Sequence, residues 1–123
     1  MEELIGRIVG ATGIDEALAK KAIGIILQLV KSEGPADKVG ELFAALPGAS
    51  EFADEFGDSG GGGLMGAFGG GAMAALGKLQ SAGMSMGDIQ GAGKEVIGYA
   101  KENAGEELVS DVVGSISGLG GFV

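Results

Sequence analysis

Four carboxylates, Glu51, Asp54, Glu55 and Asp58, crowd into eight residues just ahead of a run of glycines. Oxygen ligands in that number could hold a hard divalent cation. A calcium loop, however, alternates its ligands as D-x-D-x-D-G and closes with a distal glutamate. That spacing is missing, and the cluster reads as a solvated acidic face. Glu106, Glu107 and Asp111 form a second acidic group. They stand at the start of an apolar stripe, where negative charge suits the positive end of a helix. Nothing sets two carboxylates across a cleft, as acid–base catalysis requires. Asp58-Ser59-Gly60-Gly61-Gly62-Gly63 has the composition of a phosphate cradle. A phosphate loop needs G-x-x-x-x-G-K-[ST] after a strand, yet the first lysine downstream is Lys78. A dinucleotide fingerprint fails too, because no βαβ pattern surrounds the glycines.

The chain contains no histidine and no cysteine. Imidazole bases, thiolate nucleophiles, disulfides and the usual zinc sites are therefore excluded. The sequence assigns no catalytic, cofactor-binding or metal-binding residue, and a non-enzyme is expected. Eleven acids face five bases up to residue 58, and six face three beyond it, for a net charge of −9. Eight basic residues in 123 cannot build the positive stripe that a phosphate backbone demands, so nucleic acid is not an expected partner. Met1-Glu2-Glu3 opens with acid instead of a basic stretch before an apolar one, so no signal peptide is read and a cytoplasmic location is expected.

The elements that would position these groups are all helical by period. Leu4, Ile5, Ile8 and Val9 give a short stripe over residues 2–11. Thr12-Gly13-Ile14-Asp15 reads as a break and a capping box, with Thr12 at the N-cap and Asp15 three residues on. A helix follows over 13–33, with Leu18, Ala22, Ile25, Ile26 and Leu29 on one face and Ile23, Leu27 and Val30 widening it. Such width predicts a position at the centre of a bundle. Gly34 ends this helix, and Pro35 suits the first turn of the next. Val39, Leu42, Phe43 and Leu46 supply the third stripe, stopped by Pro47-Gly48. Residues 49–56 make a short acidic turn or helix with Phe52 and Phe56. Ser85-Met86-Gly87-Asp88 offers a second capping box, and Ile89, Val96, Ile97 and Ala100 carry a helix to about Asn103, closed by Gly105. Leu108, Val109, Val112, Val113 and Ile116 mark a last helix over 106–117. No period-two strand occurs.

Glycine, at 27 residues, is the compositional anomaly. Leu64 to Gly77 carries no charge and sets Leu64, Met65, Phe68, Met73 and Leu76 among glycines, which makes these five the candidate interaction segment. A helix there needs tight packing to offset the cost of its glycines. Gly6/Gly10, Gly83/Gly87/Gly91 and Gly114/Gly118 are spaced for close helix approach, here read as soluble packing. Laying residues 12–45 over 86–119, a shift of 74, brings eight identities into line, among them Lys20/Lys94, Ile23/Ile97 and Val39/Val113. Two related hairpins joined by a Gly-rich connector over 57–72 would produce that pattern.

Several of these pieces together resemble a bacterial domain of unknown function, the VcgC/VcgE-like family. They are Gly13-Ile14-Asp15 opening a long aliphatic helix, Ala45-Leu46-Pro47-Gly48-Ala49, the Gly/Ala-rich middle, Leu79-Gln80-Ser81-Ala82-Gly83-Met84-Ser85 leading to Val96-Ile97-Gly98-Tyr99, then Ala104-Gly105 and Leu108-Val109. The likeness runs from Gly10 to Leu119 and implies a helical fold, with no catalytic residues to carry over. A second helical family, whose helices also end in Leu-Pro, is similar to residues 17–47. The expectation is an all-α, compact bundle of five to seven short helices in one domain, residues 1–123. Its expected work is interaction, by self-association or with a protein partner. The alternative is binding of an apolar ligand or a membrane interface through residues 60–77.

Overall fold

In a computed structural model of the chain, residues 2–54 and 71–115 are described. They form seven helices and no strand: α1 (Glu2–Thr12), α2 (Glu16–Glu33), α3 (Ala36–Ala45), α4 (Ala49–Phe52), α5 (Gly71–Ser81), α6 (Met86–Ala104) and α7 (Glu106–Ser115). The all-α bundle is as the periodicity predicts.

The long helix α2 packs on each of the other six and forms the centre of the bundle. Its sequence explains this. Ala19, Ala22, Ile23, Ile25, Ile26, Leu27, Leu29 and Val30 are all buried, so apolar residues cover more than one face. Burying each large aliphatic side chain is worth about 1.5–3 kcal/mol, far more than the helix propensity of any single residue. Leu4, Ile5 and Ile8 of α1, Val39 and Leu42 of α3, Leu79 of α5, Ile89, Val96 and Ile97 of α6, and Val109 and Val112 of α7 close around it. Among the described residues no polar or charged residue is buried.

The start of α2 differs from the expected capping box. The N-cap is Asp15, whose carboxylate accepts from the Leu18 amide at 2.8 Å. Thr12 is the last residue of α1, and its hydroxyl donates back to the Ile8 carbonyl at 2.7 Å. The reason lies at Gly13, which takes a left-handed φ of 83° and donates its N–H to the Val9 carbonyl. That geometry terminates α1 and leaves only Asp15 positioned to cap α2. Pro35 likewise sits at the N-cap of α3, one residue before the expected first turn. The capping box at Ser85 and Asp88 is present as read.

The glycine-rich helix runs from Gly71 to Ser81, four residues beyond its expected end at Gly77. Leu79 is fully buried, and that contact carries the helix past Gly77. The expected stretch from residue 64 to 70 lies outside the described residues, as do Phe56 and residues 116–119. The helix boundaries repeat at a spacing of 70, not 74. Asp15 and Ser85 are both N-caps, whereas a shift of 74 sets Asp15 against Ile89 inside α6.

Candidate functional site

Among the described residues, those singled out by sequence do not converge. Leu64, Met65 and Phe68 lie outside the described residues, and of Met73 only the backbone in α5 is described. Leu76 is half-buried against the core, so it serves packing. In the first acidic cluster Glu51 is exposed on α4, and Asp54 accepts an ion pair from Lys31 at 3.1 Å, tying the segment after α4 to the end of α2. Glu55 and Asp58 lie outside the described residues. In the second cluster Asp111 pairs with Lys38 at 3.0 Å and links α7 to α3. That hydrogen bond, more than simple attraction, raises the Lys38 pKa above its ordinary value. Among the described residues no group of three or more carboxylates is arranged to hold a metal ion.

What the fold builds instead is a groove between α1 and the start of α2. Glu2, Ile5, Gly6, Val9, Glu16 and Lys20 line a hollow of about 370 Å³. Its floor is apolar, from Ile5 and half-buried Val9, and its rim carries charges of both signs. Gly6 and Gly10 lie one turn apart on α1, both exposed, with no atom within 4 Å of where a β-carbon would stand. Of the glycines spaced for close approach, Gly91 alone among those described meets a tight neighbour across helices: its β-carbon would lie 2.8 Å from Thr12 Cγ2. The remaining described members, Gly6, Gly10, Gly83, Gly87 and Gly114, are not clasped by another helix among the described residues. The expectation that these pairs serve packing within the bundle is thus corrected for these five.

A polar cluster fixes α1 over α6. Arg7 donates two hydrogen bonds to Glu102, at 2.8 and 2.7 Å, and its guanidinium lies over the Tyr99 ring, 5.6 Å from the centroid. A planar fork on a carboxylate combined with ring stacking is a geometry lysine cannot reproduce. The hydrogen bond from Arg7 holds the Glu102 carboxyl below its ordinary pKa, and Glu102 raises that of Arg7 in return. Sequence reasoning missed this cluster because 95 residues separate the partners. The only local signal was Glu3, one turn before Arg7, at 3.7 Å.

A second, shallower hollow of about 600 Å³ opens where α3 meets the start of α7, lined by Lys38, Glu41, Gly105, Glu106, Glu107 and Asp111 among others. Among the described residues one buried side-chain polar atom has no partner: Gln28 Oε1 on α2 is closed off from solvent, and neither hollow reaches it. No protein-family profile, curated protein or solved structure matches the chain. The chemistry of the described surface is that of contact: an apolar floor, a mixed-charge rim and helix faces kept free of side chains. Among the described residues no helix is long and apolar enough to cross a membrane.

Proposed function

We propose that this protein is a non-enzymatic helical interaction module, which self-associates or binds a protein partner through the groove between α1 and α2. The observation that carries the reading is the pair Gly6 and Gly10. A glycine inside a helix costs about 1 kcal/mol against alanine, and among the described residues nothing occupies the space these two leave open. A second backbone laid close along α1 would use that space, as small residues permit elsewhere. Kinship with the VcgC/VcgE-like bacterial domain belongs to the same proposal. Two of its shared motifs fall at helix boundaries here, Gly13-Ile14-Asp15 before α2 and Leu46-Pro47-Gly48 after α3. A cytoplasmic setting is part of it too, since a cysteine-free chain has no disulfide to lose there.

Stability and association should move in opposite directions on substitution. Gly10→Ala is expected to raise stability by about 1 kcal/mol, read by chemical denaturation, because the site is open and helical. Gly6→Leu should fill the groove and abolish association. Sedimentation of the wild type across a concentration series reads the self-association half, and capture of a partner by the wild type but not by Gly6→Leu reads the other. A wild-type chain that stays monomeric, with binding of its partner unaffected by Gly6→Leu, would overturn the proposal.

A further inference from the structure

The caps of the two long helices stand 70 residues apart, and so does much else. α1 and α5 each have 11 residues. Each is followed by a left-handed glycine, Gly13 at φ 83° and Gly83 at φ 108°. Two residues later comes a side chain capping a long helix, Asp15 for α2 and Ser85 for α6. After the long helix a further ten-residue helix begins at Ala36 in one case and Glu106 in the other. The buried positions of the long helices and of the helices after them coincide as well, whereas in the first helices buried Ile8 stands against half-buried Lys78. Ala19, Ala22, Ile23, Ile26, Leu27 and Val30 of α2 correspond at that spacing to Ile89, Ala92, Gly93, Val96, Ile97 and Ala100 of α6, all buried. Val39 and Leu42 of α3 correspond to Val109 and Val112 of α7. Few of these pairs are identical, so what repeats is the pattern of caps, turns and burial and not the letters.

The packing repeats with a crossing. α1 lies along α6, the long helix of the other half, and α5 lies along α2. α3 touches α6, and α7 touches α2. The two long helices touch each other, and so do the two that come after them. Each of these cross contacts therefore has its reciprocal, which is what an isologous two-fold pairing means: where i meets j in the partner, j meets i.

We infer that residues 2–54 and 71–115 are two units built on one three-helix design, the first carrying α4 in addition, paired about an internal pseudo-two-fold axis, and that a second copy of this chain fits the surface between them. Each unit lays its first helix on its partner's long helix, so neither buries its apolar faces without the other. The connector of sixteen residues between Asp54 and Gly71 holds the pairing within one chain by effective concentration. A second copy offers the same surfaces, and two chains can exchange units. The inference stands whichever outside partner the protein serves.

The test uses full-length chains damaged at equivalent core positions. Ile26→Asp places a charge in the core of the first unit, and Val96→Asp, 70 residues on, does so in the second. Each variant alone should lose its helical circular dichroism. Mixed from denaturant at about 1 mM, the effective concentration of a short tether, the intact unit of each chain should find that of the other. The mixture should regain roughly half the wild-type ellipticity per chain, since one unit of each stays unfolded, and should sediment at twice the mass of one chain. A mixture that stays at the sum of its unfolded components overturns the inference. So does native helicity in either variant by itself at the same concentration.

Discussion

The two long helices, α2 and α6, begin with the same device and present the same stripe to each other, yet only α2 is enclosed. At the spacing that aligns them, Gly24 and Ile25, both buried, stand where α6 has exposed Lys94 and half-exposed Glu95. Buried Leu29 stands where α6 has Tyr99, half-buried under Arg7. The extra cover on α2 comes partly from α4, whose Ala49, together with Ala53 just after it, is fully buried. Capping and turn chemistry act within a few residues and therefore repeat faithfully. Enclosure depends on what else the chain brings alongside, and here the halves diverge.

Truncating the shared stripe should break the equivalence most visibly. Leu27, 1% exposed, and Ile97, 9% exposed, are counterparts. Leu27→Ala should cost about 4 kcal/mol and Ile97→Ala about 2, read by urea denaturation, because the more open site collapses more readily. Equal losses would mean that the difference in enclosure has no energetic weight. The glycines ending the two helices should differ next. A β-carbon at Gly34 would stand 2.6 Å from Val39 Cγ2 and 2.7 Å from the Val30 carbonyl oxygen, so Gly34→Ala should cost about 2 kcal/mol. Gly105 has open space but a φ of 99°, and Gly105→Ala should cost about 1 kcal/mol from backbone strain alone.

The caps should show the halves at their most alike. Asp15→Ala and Ser85→Ala should each lose about 1 kcal/mol in thermal melts. A clear gap between them would show that even the local device is weighted by its surroundings. The smallest effect expected is a pH dependence confined to one crossed pair. Arg7 and Glu102 join α1 to α6; in the other crossed pair the corresponding positions hold Gly77 and Ser32, neither of which carries charge. The folded-state pKa of Glu102 is lowered, so its stabilising increment is fully present above the ordinary glutamate range and is lost as pH falls through the lowered value. The melting temperatures of wild type and Glu102→Gln should therefore differ at pH 7 and converge on acidification. A difference that persists in acid would sink this assignment.

Much of the fold was legible because the signals are short-range. The stripes of α2, α3 and α6, the stop at Pro47-Gly48 and the box at Ser85 and Asp88 each arise from residues within two turns of one another. The cap was read three residues early, at Thr12, because Thr12 with Asp15 three residues on fits the capping-box spacing. What separates them is the left-handed turn at Gly13, a conformation and not a letter. The repeat was set four residues out of register because chance glycine and lysine matches outweighed the pattern of burial, which a sequence does not display.

The surface was less legible. Leu76 reads like the other apolar residues of the interaction segment, and only its packing beneath the bundle assigns it to the core. Gly6 and Gly91 read alike, yet one faces open space and the other Thr12. The sequence by itself determined an all-helical chain without imidazole or thiol chemistry, with its apolar stripes, since these depend on residue type and local spacing. The tertiary structure alone decided the crossing of the two units, the Arg7–Glu102–Tyr99 cluster and the groove between α1 and α2. Each of these depends on groups brought together by the burial of apolar surface, a non-directional force whose partners no local pattern names.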